Sequence, residues 1–129
     1  MLVLVVEDNH PNMLLTKAVL ERAGYDTVGA YSAEEARAFL TERRPDLILM
    51  DLQLSGEDGL SLTREIRTDP AIADIPIIAL SAHAMKEHRW RVLTAGCDGY
   101  ISKPIDTRAF AGQLQEILAD TSAHGAQRR

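Results

Sequence analysis

Short apolar runs punctuate the chain. Leu2-Val3-Leu4-Val5-Val6, Leu47-Ile48-Leu49-Met50, Ile75-Pro76-Ile77-Ile78-Ala79-Leu80 and Tyr100-Ile101 are clear, and Thr27-Val28-Gly29-Ala30 is weaker. None alternates apolar with polar residues, so each reads as a strand buried on both faces, the condition of a parallel sheet. Helical spacing fills the intervals. Residues 11–23 are predicted to turn Leu14, Leu15, Ala18 and Val19 inward, with Pro11 at the start and Gly24 at the stop. Ser32-Ala33-Glu34-Glu35 is a capping box, opening a helix with Ala36, Phe39 and Leu40 inward. Residues 58–67 set Leu62 and Ile66 one turn apart, and residues 84–95 form a helix with a loose apolar face that ends near Gly96. Residues 107–119 carry Phe110, Leu114, Ile117 and Leu118 as a core-facing stripe. Five repeats of strand then helix predict a doubly wound α/β domain with right-handed crossovers and helices on both faces.

Composition narrows what such a domain can do. The 129 residues suit one domain, placed at 1–119, with a polar tail over 120–129 expected to be disordered. The net charge is −5, and the densest basic stretch is only His88-Arg89-Trp90-Arg91, so no nucleic-acid partner is expected. The opening apolar run meets Glu7-Asp8 at once, which argues against a signal peptide or membrane span. Cys97 is the single cysteine. It excludes an internal disulfide, suits the reducing cytoplasm expected for this chain, and reads as a small buried hydrophobe.

The chemistry lies where the strands stop. Run one ends in Glu7-Asp8, the third in Asp51, the fourth in Ser81 and the last in Ser102-Lys103-Pro104. In an open parallel sheet these positions share one rim, where ligands bind. Taken singly each has an ordinary reading: loop or turn acids for Glu7, Asp8 and Asp51, a cap for Ser81, a solvated ammonium for Lys103. Their conjunction at four strand ends is harder to assign to turn preference. Three close carboxylates repel unless a cation joins them. All-oxygen donors select a hard ion such as Mg²⁺. A cation and an ammonium flanking Asp51 would suit a phosphoryl group, with Asp51 as nucleophile.

These residues resemble the receiver domains of bacterial two-component response regulators over roughly residues 2–119. The resemblance is carried by Val6-Glu7-Asp8-Asn9, Asp46-Leu47-Ile48-Leu49-Met50-Asp51, Asp58-Gly59-Leu60, Ala79-Leu80-Ser81-Ala82 and Gly99-Tyr100-Ile101-Ser102-Lys103-Pro104. Within the family the chain is similar to stand-alone receivers related to alphaproteobacterial cell-division regulators. An initial Met1 and the polar tail fit a stand-alone chain, although excision from a longer one stays open. The resemblance implies a flavodoxin-like sheet of order 2-1-3-4-5. It implies that Glu7, Asp8, Asp51 and the backbone carbonyl of Gln53 hold Mg²⁺, with Mn²⁺ as a substitute. Asp51 would be the phosphoacceptor, served by a histidine kinase or a histidine phosphotransfer protein. Ser81 and Lys103 would bind phosphoryl oxygens, Tyr100 would be the aromatic switch, and Lys103-Pro104 would be cis. Gln53 and His83 would tune dephosphorylation. A downstream protein would read the 84–119 face, the chain being either monomeric or a phosphorylation-dependent dimer.

Some positions depart from the family's usual pattern. Ser55 stands for a common proline and Gly56-Glu57 for a bulkier lead, so the loop after Asp51 is expected to be more mobile. Ser81 keeps the hydroxyl of the commoner threonine without its methyl, and Glu7 replaces aspartate. Trp90 lies two residues from the inward Val92, about 200° of helical turn, and should face outward, either as a partner anchor or as an ordinary surface aromatic. Two rivals share parts of the pattern. A dehalogenase-like phosphatase would want an acid where Gln53 stands, and a flavodoxin-like cofactor binder would want a phosphate loop where acidic Glu7-Asp8-Asn9 stands.

Overall fold

The computed structural model describes residues 1–54, 58–82 and 86–124. The elements run β1 (Leu2–Val6), α1 (His10–Arg22), β2 (Asp26–Ala30), α2 (Ala33–Glu42), β3 (Leu47–Asp51), α3 (Gly59–Arg67), β4 (Ile77–Ser81), α4 (Lys86–Thr94), β5 (Gly99–Ser102) and α5 (Phe110–His124). All strand pairs are parallel, and the sheet order is β2-β1-β3-β4-β5. The central strands β1, β3 and β4 are the unalternating runs, buried on both faces except at Leu2. The weak run Thr27–Ala30 is the edge strand β2, which explains its mixed polarity.

Alternate strand residues feed two cores. Leu4, Val6, Ile48, Met50, Ile77 and Ala79 face α2, α3 and α4. Val3, Val5, Leu47, Leu49, Ile78 and Leu80 face α1 and α5, where Phe110 and Leu114 are fully buried. Helix starts follow local chemistry. The Asn9 side chain accepts from the Asn12 N–H, Ser32 Oγ from the Glu35 N–H, and Asp58 Oδ1 from the Leu60 N–H. The return arm of the capping box differs from expectation, because Glu35 accepts from the Tyr31 N–H.

Two expectations need correction. The buried stripe of α1 is Met13, Thr16 and Leu20, while Leu14 and Leu15 are exposed. Gly29 on β2 decides this, since the Met13 sulfur sits 2.9 Å from where a Gly29 Cβ would be. Next, α5 starts at Phe110 rather than at residue 107. Asp106 Oδ1 takes the N–H groups of Arg108 and Ala109, so 107–109 form a capping turn. The helix α5 ends at His124.

Candidate functional site

Strand register builds the site. Val6 pairs with Met50, Asp51 with Leu80, and Ser81 with Ser102, so four strands end nearly level. Glu7 is pinned as its N–H donates to Ala30 O at 3.0 Å, and Lys103 as its N–H donates to Ser81 O at 2.8 Å. The chain winds to one side of β1 and then returns to β3 on the other, so Glu7-Asp8 and Asp51 flank the point where the winding reverses.

Glu7, Asp8 and Asp51 each offer a carboxylate oxygen, and these lie within 4.8 Å of one another. Glu7 and Asp51 are 1% exposed. Lys103 Nζ stands 3.2 Å from Glu7 Oε1 and 3.2 Å from Asp51 Oδ2, bridging two acids from different strands. Asp51 Oδ1 accepts from the Gln53 N–H at 3.0 Å, which brings that residue's backbone to the cluster. Burial of the Glu7 carboxyl, helped by its hydrogen bond and charge repulsion with Asp51, pushes its pKa up to about 7 against the opposing pull of Asn12 and Lys103. Burial disfavours the Lys103 charge, but the carboxylates of Asp51 and Glu7 outweigh it and raise the pKa of the ammonium.

The donor set fits a small hard cation. Glu7 Oε2 is buried with no hydrogen-bond partner among the described residues. Oxygens about 2.1 Å from one Mg²⁺ lie within about 4.2 Å of each other, so the cluster needs only small side-chain adjustments.

Ser81 is the last residue of β4 and is fully buried. Tyr100 pairs with Ala79 in register and packs on the α2–α3–α4 core, the face that Ser81 shares by strand alternation. The Lys103-Pro104 peptide bond is cis. Trp90 is 69% exposed while Val92 is fully buried, and Cys97 is buried. His83, Ser55, Gly56 and Glu57 lie outside the described residues.

Sequence reasoning missed Asn12, whose side chain hydrogen-bonds Glu7 and favours its charged form. Glu7 lies five residues earlier and outside α1, so no helical spacing rule marks the pair. A cleft of 310 Å³ opens beside the acids, and Leu15 and Ile105 line it with Lys103. No helix among the described residues is long and apolar enough to cross a membrane.

Comparison with known proteins gives this arrangement a family. The polar-differentiation response regulator DivK of Brucella anthropi is 42% identical over 118 residues, covering 92% of this chain and 96% of that one. The receiver domain of a Pseudomonas aeruginosa sensor histidine kinase, with a magnesium ion coordinated in its active-site cleft, superposes at a TM-score of 0.81 with 36% identity, covering 92% of this chain and 97% of that one. A two-component response regulator from Clostridium difficile superposes at 0.84 with 26% identity, covering 92% of this chain and 96% of that one. Residues 3–115 match the response regulator receiver domain family. The chain therefore belongs to the receiver domains of two-component signalling, which are phosphoacceptor signalling modules rather than classical enzymes.

Proposed function

We propose that this chain is a phosphorylation-activated switch of a two-component system or phosphorelay, with one receiver domain over 1–119 acting in the cytoplasm. The phosphoacceptor is Asp51, and the donor is a phosphohistidine on a histidine kinase or a histidine phosphotransfer protein. The observation that carries this reading is Lys103 Nζ, 3.2 Å from Asp51 Oδ2, set against three clustered carboxylates.

Glu7, Asp8, Asp51 and the Gln53 carbonyl would hold Mg²⁺, or Mn²⁺ in its place. The ion reported in the Pseudomonas receiver supports this assignment. When bound, the cation supplies charge neutralisation for the incoming phosphoryl oxygens. An Asp51 carboxylate oxygen forms a bond to phosphorus as the phosphorus–nitrogen bond of phosphohistidine breaks, its electron pair returning to the imidazole. Lys103 pairs with one phosphoryl oxygen and Ser81 donates its hydroxyl to another. That second bond favours the arrangement in which Ser81 is drawn toward the phosphate and Tyr100 turns inward, which shifts a population between two conformations. Gln53 and His83 tune how fast water removes the group. A downstream protein reads the 84–119 face, for which Trp90 is the candidate anchor.

Acetyl phosphate with Mg²⁺ should label the wild-type chain with an acid-stable, base-labile phosphoryl group. Asp51→Asn should take up none. Label kept by that variant would place the acceptor elsewhere.

A further inference from the structure

Arg67, the last residue of α3, binds groups far from its own helix. Its Nε donates to Gly96 O at 2.9 Å, and its Nη1 to Ala73 O at 2.9 Å and Ile75 O at 2.6 Å. Its Nη2 meets Asp98 Oδ2 at 2.8 Å. The same carboxylate oxygen accepts from the Ile77 N–H at 2.8 Å, and the Asp98 N–H donates to Ile77 O at 2.7 Å. The Asp98 side chain is 1% exposed and that of Arg67 17%. One planar guanidinium thus joins the end of α3, the turn before β4 and the turn between α4 and β5. A lysine has no such fork. Gly96 has φ +112°, and a Cβ there would fall 2.8 Å from Arg67 Cγ, so the arginine stem lies directly on this turn.

The last residues of the helix leading into the turn are mostly exposed. Over residues 90–94, Trp90, Arg91, Leu93 and Thr94 are exposed and Val92 alone is buried. Just past the helix, Ala95 and Cys97 are buried beside the Arg67 clamp. The other end of α4 is joined through Ala82–Met85 to Ser81. The clamp grips the start of β4 at Ile77, while Ser81 ends that strand. Four strand steps, about 13 Å, separate the two.

We propose that Arg67 is a positioning residue for the output helix: with Asp98 and Gly96 it fixes the C-terminal end of α4 as a fulcrum. A displacement of Ser81 then reaches Trp90 and Leu93 as a rotation of the helix. The inference rests on the proposed role of Ser81 at the phosphoryl site. With the fulcrum loosened, the same displacement is absorbed as sliding of the helix, whose residues 90–94 bury Val92 alone.

The test uses the full chain and three readouts: Trp90 emission on adding Mg²⁺ and beryllium fluoride, Asp51 labelling by acetyl phosphate, and amide hydrogen exchange. Trp90 is the single tryptophan, so its signal reports α4 alone. Arg67→Lys and Asp98→Asn should each cut the Trp90 response at least threefold and leave labelling within twofold of wild type. Exchange should rise at least tenfold over residues 90–98 and stay unchanged over 47–51. A full Trp90 response in both variants overturns the proposal. So does faster exchange throughout the sheet, which would mark Arg67 as a general structural residue. A wild-type chain that labels while Trp90 stays silent also overturns it. Failure of the wild type to label refutes the phosphoacceptor reading instead.

Discussion

Gly59 shows how much a single missing side chain decides. It opens α3 directly under the end of β3, where a Cβ would lie 2.5 Å from the Asp51 carbonyl oxygen and 2.9 Å from Leu52 Cα. Both neighbours are backbone and cannot swing aside. Gly59→Ala should therefore push α3 off β3, destabilising the fold by about 1–3 kcal/mol, as overpacked sites do. Because the backbone that the new Cβ presses on is that of Asp51, the proposed phosphoacceptor, labelling by acetyl phosphate should slow at least tenfold; a variant that melts and labels like wild type would show that α3 can retreat freely. Cys97 makes the opposite case, a reactive group made inert by its surroundings. Burial pushes its thiol up to about 11, only partly opposed by a hydrogen bond to Thr63 and the charge of Arg67. At pH 8 almost none is thiolate, and the thiolate is the attacking species. A disulfide reagent should label Cys97 in denaturant within seconds and in the native chain only as fast as the chain opens. Prompt native labelling would contradict the burial.

At the scale of elements, strands were legible and helix faces less so. A strand buried on both sides needs no choice of face, so unbroken runs such as Leu47–Met50 identified β3 directly. A helix must choose a face, and in α1 the choice is made by another element. Leu14, Leu15, Ala18 and Val19 form the more apolar stripe, yet Met13, Thr16 and Leu20 are buried. The slot for Met13 is created by Gly29, sixteen residues later, and Thr16 hides the stripe from any reading by hydrophobicity. The site shows the same division. Acids and Lys103 at strand ends could be read from position, because a parallel sheet carries all its carboxyl ends to one rim. Asn12 could not, since its contact with Glu7 depends on how α1 is rotated. Truncation separates the two faces of α1. Met13→Ala should cost about 2–5 kcal/mol, the range for buried methionine, and Leu15→Ala under about 1 kcal/mol. Denaturant midpoints in the reverse order would restore the face that hydrophobicity alone selects.

At the scale of the molecule, the fold places mutually repelling acids in a buried cluster. Lys103 offsets part of this, yet the Glu7 carboxyl still holds its proton up to about pH 7. An unfolded glutamate loses that proton near its ordinary value of 4.5. Between these limits the folded chain binds more protons than the unfolded one, so by linkage this group's contribution to stability falls as pH rises. Its contribution is fully present below pH 4.5 and is lost once pH passes about 7. A divalent cation held by this cluster, as proposed, would reverse the sense, because it would bind the carboxylate and displace the proton. Without metal, the contribution of this cluster should lower the melting temperature between pH 5 and pH 8. Adding Mg²⁺ should raise the melting temperature by more at pH 8 than at pH 5.5, with apparent affinity falling up to tenfold per unit below pH 7. Asp51→Asn tests the cause. It removes the neighbouring charge that helps hold the proton on Glu7, so melting in a chelator should become less dependent on pH, and the stabilisation by Mg²⁺ should shrink with one acid gone. If Mg²⁺ stabilised the wild type equally at both pH values, no proton would be leaving on binding, and the Glu7 carboxylate could not belong to the metal's ligand set.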